Sequence, residues 1–341
     1  MKRFFTSYFL FLISYFSFMI CDLCPRHCSL GLNQAGFCFG RQNLGDKLVL
    51  ATYGKTSGLA VDPIEKKPLY HFYPGSKVLS FGTIGCNLGC TFCQNWTTSK
   101  SRDLTRLSVE ASPEQIAELA ARHDCRSVAF TYNEPIVWAE YAVDTALECR
   151  KRGIKTTCVS AGYISPHKRE WFFGPMDAAN IDLKAFSDRF YKEKCGASIE
   201  PVKETLRYLA KETGVWLEVT TLLIPGENDS DEELTAMCLW IRKELGAEIP
   251  LHFSAFRPAY KENEIAPTPP QTLFRAREIA HQSGLCYVYT GNIHDPAGQS
   301  TACPQCQQTV VFRHGYSIGG LAIDEDSCCK FCGQSIAGVW C

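Results

Sequence analysis

The sequence predicts an α/β fold, a partial (β/α)6 TIM-type barrel of parallel strands. Between about residues 77 and 292, short β-rich runs alternate with amphipathic stretches of helical spacing. Several helical stretches begin at a hydroxyl residue followed three positions later by Glu or Gln, which is the capping-box pattern. No G-x-G-x-x-G follows the first strand and no P-loop sequence occurs, so a dinucleotide-binding fold is disfavoured.

The predicted strands are short runs rich in apolar and β-branched residues, separated by the helical stretches. They are residues 77–84, 127–132, 154–160, 179–184, 215–223, 251–256 and 286–291. Predicted helix starts fall at Ser112, Ser230 and Thr268. Repeated strand–helix units produce parallel strands with right-handed crossovers, and such barrels carry their functional residues at the carboxyl ends of the strands.

Composition and charge describe a globular chain without a strong electrostatic preference. The 341 residues are 45% hydrophobic and 21% charged, which excludes a disordered polar chain. Lys and Arg total 35 against 36 Asp and Glu, giving a net charge of −1. Because no global basic field exists, we expect neither a nucleic-acid partner nor attraction to an acidic membrane.

Cysteine is the most informative residue type in the chain. Thirteen of the 19 cysteines fall in three groups, within residues 21–38, 86–93 and 303–341, and the other six read as small core residues. Tight C-x2-C and C-x3-C spacings in a chain of this size indicate metal sites in a reducing compartment more than a disulfide scaffold. We therefore expect a cytoplasmic protein.

The first 20 residues do not fit that expectation. Two basic residues precede an apolar, aromatic run that ends at Ile20, as in a signal peptide or short anchor. The run is short for a membrane span, and no small-x-small cleavage pattern precedes Cys21. A mis-called translation start is the alternative, and apart from this segment no membrane association is expected.

The cysteine groups and the strand pattern also suggest a division of the chain. The expected units are the hydrophobic segment 1–20, a Cys-rich segment 21–76, the barrel 77–295 and a zinc-ribbon-like module 300–341.

The stretch GCNLGCTFCQNW places Cys86, Cys90 and Cys93 directly after the first barrel strand. Structural zinc usually takes four closed ligands, often from paired C-x2-C knuckles. Three thiolates on a strand-end loop suit a [4Fe–4S] cluster with one iron left open for a ligand. Gly85 and Gly89 are expected to let the backbone fold around this bulky group.

This C-x3-C-x-aromatic-C pattern, with Phe92 at the aromatic position, resembles the signature of the radical S-adenosylmethionine (SAM) superfamily. The resemblance implies that Cys86, Cys90 and Cys93 hold a [4Fe–4S] cluster whose open iron chelates SAM. It also implies reductive cleavage of SAM to methionine and a 5′-deoxyadenosyl radical, which abstracts hydrogen from a substrate. An electron donor of the flavodoxin or ferredoxin type is the implied partner.

The same resemblance implies SAM contacts near other strand ends. Glu134 would hold the SAM ammonium, with a plain helix-entry role as the alternative, and Gly162 would allow a close backbone approach. Asp182 and Lys184 lie two apart, so they share one face of a strand. They would approach the methionine end of SAM, unless they are a structural pair. His252 would lie near SAM or would be a satisfied core histidine.

Two further cysteine groups flank the barrel. The first follows a C-x2-C-x3-C-x9-C pattern and can close a zinc site or hold a second iron–sulfur cluster; its members are Cys21, Cys24, Cys28 and Cys38. The second consists of two C-x2-C knuckles separated by 22 residues with a β-like stretch between, the zinc-ribbon pattern; its members are Cys303, Cys306, Cys329 and Cys332. We expect this ribbon to stabilise the protein or dock a partner.

Taken together, CDLCPRHC, GCNLGCTFCQNW, TYNEP, NIDLKAF and the terminal CPQC and CKFC resemble the radical SAM enzyme of the AmmeMemoRadiSam system. That group is related to pyruvate formate-lyase activating enzymes, and its name implies Memo-like and AMMECR-like partners. Three functions stay open at this point. They are a radical enzyme acting on an unidentified protein or small molecule, a glycyl-radical-enzyme activase, and a non-catalytic metal-binding interaction module.

Overall fold

The structure is a computed structural model that describes residues 18–103 and 109–341. The hydrophobic segment expected at residues 1–20 therefore lies outside the described residues over its first 17 positions. Within the described ranges, no helix combines the length and the apolar character needed to cross a membrane.

The strands fall in short hairpins before the barrel, in the barrel itself and in a C-terminal sheet. They are β1 Met19–Ile20, β2 Ser29–Leu30, β3 Arg41–Asn43, β4 Leu48–Leu50, β5 Lys55–Pro63, β6 Lys77–Gly82, β7 Val109–Glu110, β8 Ser127–Phe130, β9 Lys155–Ser160, β10 Ala178–Asp182, β11 Trp216–Leu223, β12 Leu251–Ala255, β13 Val288–Gly291, β14 Thr301–Ala302, β15 Thr309–His314 and β16 Ser317–Leu321.

The α-helices lie mainly between barrel strands, and short 3-10 turns begin at Ile64, Pro135 and Pro166. The helices are α1 Trp96–Ser99, α2 Pro113–Arg122, α3 Ala139–Lys151, α4 Arg169–Phe173, α5 Asp188–Cys195, α6 Glu200–Glu212, α7 Asp231–Glu244, α8 Pro270–Gln282 and α9 Pro296–Gln299.

The central sheet runs in the order β13-β12-β11-β10-β9-β8-β6-β5-β7. Each neighbouring pair from β6 through β8 to β13 is parallel, and all seven of these strands were predicted from the sequence. Their residues are buried along most of their length, as expected where helices cover a parallel sheet. The α/β fold with a parallel, barrel-type sheet is thereby confirmed.

Strand β5 extends the sheet beyond the predicted strands. It pairs antiparallel with β6 and with the short β7. Its sequence KTSGLAVDP carries Gly, Pro and polar residues that weaken the strand pattern, so the sequence signal was poor. The strand matters to the site because it brings Asp62 against Tyr132, which follows β8.

Two of the three predicted helix starts are confirmed. Ser112 forms a full capping box with Gln115, and the Ser230 hydroxyl accepts a hydrogen bond from the Glu233 amide at 3.2 Å. The predicted cap at Thr268 is wrong, since α8 begins at Pro270. The Thr268 hydroxyl instead donates to a carbonyl at the end of β11 and accepts from an amide after β12.

The C-terminal three-stranded sheet is antiparallel, in the order β14-β15-β16, and it is fastened to the barrel through the segment before β6. The Tyr73 amide donates to the Val339 carbonyl, and the Val339 amide donates to the His71 carbonyl, both at 2.7 Å. The fully buried Arg313 guanidinium donates to the Tyr70 carbonyl. The C-terminal cysteine module is therefore packed against the barrel.

Candidate functional site

A cavity of about 330 Å³ opens at the carboxyl ends of the parallel strands. This volume lies in the range of small-molecule and cofactor sites. Six of the predicted site residues line it: Cys86, Cys90, Cys93, Glu134, Asp182 and Lys184. Polar side chains on β11, on β12 and directly after β13 also line it: Thr220, Ser254 and Asn292. The strand ends thus bring together groups that are far apart in the sequence.

The backbone of the three-cysteine loop packs tightly against protein on both sides. Gly85 has a φ of +91°, and a Cβ added there would lie 1.9 Å from the Cys38 carbonyl oxygen. The Gly89 amide donates to the Cys195 carbonyl at 2.7 Å. The two glycines therefore make room for the N-terminal segment and the end of α5. That they also let the backbone fold around a bound cluster stays a prediction.

The thiols of this loop lie near an amide donor and a positive charge. The Leu88 amide donates to Cys86 Sγ at 3.3 Å. Burial raises the pKa of the Cys86 and Cys93 thiols, and the Lys100 ammonium acts in the opposite direction on both. Thiols buried in this way ionise readily only when a metal supplies the compensating charge. The donor set therefore suits a bound metal centre.

Cys195, at the C-terminal end of α5, adds a further thiol beside this loop. It is fully buried, and its hydrogen bond with Cys90, together with burial, raises the pKa of Cys90 well above the ordinary value. The sequence pattern assigned Cys195 to the core. Its proximity to Cys90 arises from the packing of α5 on the loop, which no local sequence signal announces.

Glu134 follows β8 and is 4% exposed. Its carboxylate accepts hydrogen bonds from the Ser160 hydroxyl at 2.6 Å, the Ala161 amide at 2.8 Å and the Ile136 amide at 3.1 Å. Burial raises the pKa of Glu134, and these three donors oppose that shift only in part. Since a carboxylate offers about four acceptor positions, one remains for a cation in the cavity. The Ile136 contact also fits the alternative helix-entry role.

Asp182 and Lys184 form an ion pair at the wall of the cavity, with Nζ 2.6 Å from Oδ2. Burial by itself lowers the pKa of Lys184, but the Asp182 carboxylate, together with Cys90 and Cys195, more than offsets this, so the net shift is upward. Lys184 is therefore held as an ammonium. Both charged groups face the same cavity as Glu134.

Two other predicted SAM-contacting residues are not among the described residues that line the cavity. His252 is 3% exposed, and its Nε2 lies 2.6 Å from Oε2 of Glu218 on the neighbouring strand. Gly162 has a φ of +64°, and a Cβ there would lie 3.0 Å from a methyl group of Ile181. His252 thus occupies the satisfied buried setting that was its alternative, and Gly162 approaches Ile181. Contact of either residue with SAM stays a prediction.

Sequence reasoning assigned no role to Asn133 and Lys100, which both act on the loop. Asn133 Nδ2 donates to the Gly85 carbonyl at 2.9 Å, and Lys100 Nζ donates to the Leu88 carbonyl. The signal for Asn133 was its place beside Glu134 in the strand-end motif TYNEP. Lys100 had no comparable signal.

Thr220 supplies another polar group to the cavity. Its hydroxyl is buried and has no hydrogen-bond partner among the described residues. Thr220 lies opposite Asp182 in the register of β10 with β11, and opposite His252 in that of β11 with β12. An unpaired buried hydroxyl in a cavity wall is a group that a ligand can satisfy.

The C-terminal cysteines form a compact group. Cys303 Sγ lies 3.6 Å from Cys332 Sγ, and Cys306 Sγ lies 3.7 Å from Cys329 Sγ. All four sulfurs lie within 4.8 Å of one another. A tetrahedron with metal–sulfur bonds of about 2.3 Å has edges of about 3.8 Å, so the spacing suits a single tetrahedral ion. Cys328 lies outside this set.

The N-terminal cysteines lie behind the three-cysteine loop. All four line one small enclosed cavity, together with Asn87, which is the neighbour of Cys86. All 19 cysteines lie in the described residues as free thiols, and none of them forms a disulfide bond.

The chain was compared with known proteins. Residues 81–238 match the sequence profile of the radical SAM superfamily. An uncharacterized protein of Methanocaldococcus jannaschii is 43% identical over 317 residues, which cover 93% of this chain and 94% of that one. The pyruvate formate-lyase 1-activating enzyme of Escherichia coli K12 is 25% identical over 231 residues, covering 62% of this chain and 91% of its own.

Among solved structures, a radical SAM methyltransferase from Sphaerobacter thermophilus is similar in fold. Its TM-score is 0.52 at 18% identity, and the match covers 69% of this chain and 71% of that one. The family match, the relatives and the site at the strand ends agree. This chain belongs to the radical SAM superfamily.

Proposed function

We propose that the protein is a radical SAM enzyme that abstracts hydrogen from a protein or small-molecule substrate not yet identified. The observation that carries the proposal is the shared cavity at the strand ends. Three thiols, one buried carboxylate and one ion pair face it together. A set of structural metal sites in a non-catalytic interaction module would not require Glu134 and the Asp182–Lys184 pair beside the cysteine loop.

In this proposal Cys86, Cys90 and Cys93 hold a [4Fe–4S] cluster through three of its irons. These three thiols do not meet the 4.8 Å spacing that the four C-terminal sulfurs meet. Wider spacing is expected for the ligands of a four-iron cluster, because the cluster is larger than a single ion. The Leu88 amide hydrogen-bonds to one sulfur, and the nearby Lys100 ammonium offsets negative charge. When bound, the reduced cluster supplies the electron that cleaves SAM to methionine and a 5′-deoxyadenosyl radical.

The remaining residues of the cavity would bind and orient SAM. The free acceptor position of Glu134 suits the SAM ammonium, which is a charge-assisted partner for a buried carboxylate. Lys184, held as an ammonium by Asp182, suits the SAM carboxylate. The unpaired Thr220 hydroxyl can hydrogen-bond to a bound ligand. Glu134 and Thr220 are buried, which limits competition from water and strengthens their interactions with a ligand.

Other parts of the chain extend the proposal. The sulfur spacing at Cys303, Cys306, Cys329 and Cys332 supports a structural zinc ion. A low-potential flavodoxin or ferredoxin would supply electrons, and Memo-like and AMMECR-like proteins are candidate partners. Free thiolate sites of this kind persist in a reducing compartment, so we place the protein in the cytoplasm.

A second candidate is activation of a glycyl-radical enzyme. It is favoured by the similarity to the pyruvate formate-lyase 1-activating enzyme, at 25% identity. The match covers 91% of that relative but only 62% of this chain. More than a third of this chain therefore lies outside the match, which favours a different or larger partner.

The test is SAM cleavage by anaerobically reconstituted protein. With a reductant and SAM, the wild-type protein should release 5′-deoxyadenosine, and Cys86→Ala should release only the background amount. Cys341→Ala, at an exposed cysteine outside every metal group proposed here, is the matched control and should retain the activity. Wild-type release no greater than that of Cys86→Ala would overturn the proposal.

A further inference from the structure

The N-terminal cysteine group differs in geometry from the C-terminal one. Its four thiols line a single enclosed cavity: Cys21, Cys24, Cys28 and Cys38. The chain is folded around them by local hydrogen bonds, such as that from the Cys21 amide to the Cys28 carbonyl at 2.9 Å. A Cβ added at Gly36 would lie 3.8 Å from the sulfurs of both Cys28 and Cys38. The group is thus an assembled site.

The distances between the sulfurs of a cysteine group distinguish a site for a single metal ion from a site for a larger metal centre. The four C-terminal sulfurs lie within 4.8 Å of one another, as one tetrahedral ion requires. Within the described part of the chain no three N-terminal sulfurs meet that spacing, although all four share one cavity. The same is true of the three-cysteine loop. The N-terminal group therefore lacks the close spacing that a single tetrahedral ion requires, as the three-cysteine loop does.

The surroundings place a positive charge beside the four sulfurs. The Arg41 guanidinium lines the cavity and donates to Glu140 at 2.8 Å. Its Nε is buried and lacks a hydrogen-bond partner among the described residues. A buried cation with a free donor is one of the groups that stabilise thiolate-bound iron–sulfur clusters.

We propose that Cys21, Cys24, Cys28 and Cys38 hold a second iron–sulfur cluster, placed directly against the three-cysteine loop. The N-terminal cysteine group and the three-cysteine loop are in direct contact. The Cys38 carbonyl oxygen occupies the space beside Gly85, and Asn87 lines the N-terminal cavity next to Cys86 in the chain. This inference does not require that SAM binds at the loop.

Metal counting on the full-length protein tests it. Iron, acid-labile sulfide and zinc are measured after anaerobic reconstitution for the wild type and two variants, Cys24→Ser/Cys28→Ser and Cys86→Ala/Cys90→Ala/Cys93→Ala. If each centre is a [4Fe–4S] cluster, wild type should bind about eight irons and each variant about four. Zinc should stay at about one per chain throughout. Cys341→Ser, at an exposed terminal thiol, should match the wild type.

The N-terminal cysteines are intact in the loop variant Cys86→Ala/Cys90→Ala/Cys93→Ala. Its iron content therefore tests the proposal even if Cys24→Ser/Cys28→Ser does not fold. A folded triple variant without iron, or with a second zinc, would overturn the second cluster. Failure of the proposed function has a different signature. In that case the loop triple variant retains all of the wild-type iron, because the loop binds none.

Discussion

Asn133 Nδ2 donates a hydrogen bond to the Gly85 carbonyl oxygen at 2.9 Å, across 48 positions of sequence. The Asn133 Oδ1 in turn accepts from the Thr83 amide at 2.9 Å. One side chain therefore fastens the loop that carries Glu134 to the loop that carries the three cysteines. Each group involved is buried, so none can exchange these bonds for water.

Replacing Asn133 by Ala should loosen the three-cysteine loop. The Thr83 amide and the Gly85 carbonyl would be left buried and unpaired, at a cost of about 1–3 kcal/mol each. We expect a lower free energy of unfolding in urea and reduced iron retention after reconstitution. Asn263→Ala, which removes an exposed side-chain bond, is the control. Equal iron retention in Asn133→Ala and the wild type would contradict the fastening role.

Replacing Glu134 by Gln should weaken SAM binding. The change keeps the shape of the side chain but removes the charge that would pair with the SAM ammonium. A charge-assisted bond contributes about 1.5–3 kcal/mol, so the Kd should rise about tenfold or more. Equilibrium binding of SAM to reconstituted protein measures it, with the exposed Glu118→Gln as control. An unchanged Kd would leave Glu134 with the helix-entry role alone.

Replacing Arg313 by Met should destabilise the docking of the C-terminal module. Arg313 is fully buried, donates to the Tyr70 carbonyl and lies 4.0 Å from the Glu65 carboxylate. Removing one partner of a buried charge pair costs about 3–5 kcal/mol. Urea unfolding measures it, and Glu65→Gln in the same chain should restore part of the loss. Arg122→Met, at an exposed pair, should cost at most about 1 kcal/mol. A loss of that size for Arg313→Met would contradict the prediction.

Asp62 should make stability depend on pH in a defined direction. Burial by itself raises the pKa of this carboxyl, but hydrogen bonds from Lys66 and Lys67, both at 2.8 Å, hold the pKa well below its ordinary value. A depressed pKa contributes stability above the unfolded value of about 3.9 that is lost as the pH falls.

The difference in unfolding free energy between the wild type and Asp62→Asn should therefore be full near about pH 7 and shrink below about pH 4. Urea unfolding at a series of pH values measures this difference. A difference that grows as the pH falls would reverse the sign and contradict the assignment. The Tyr132 hydroxyl also donates to Asp62, so the variant should loosen the strand-end motif as well.

Strands and strand-end motifs were predictable because their signals are local. All seven parallel strands appear at the predicted places, with bounds shifted by at most two residues. Since parallel strands end at one edge, the positions of Cys86, Glu134 and Asp182 at strand ends were enough to predict that their side chains meet. The cavity that they line together agrees with that prediction.

The environment of His252 was not predictable, because it depends on chain segments far apart in sequence. Strand parity turns His252 inward, but its partner Glu218 also accepts from the amides of Tyr70 and His71, which precede the first barrel strand. Such contacts are set by tertiary packing, which leaves no periodic pattern in the sequence.

The most direct test of SAM binding at the three-cysteine site is the electron paramagnetic resonance spectrum of the reduced protein, recorded anaerobically with and without SAM. If SAM occupies the open iron, the wild-type signal should change in shape and position when SAM is added. The Cys86→Ala/Cys90→Ala/Cys93→Ala variant should show no SAM-dependent change. A wild-type spectrum that is identical with and without SAM would contradict a SAM-binding cluster at this loop.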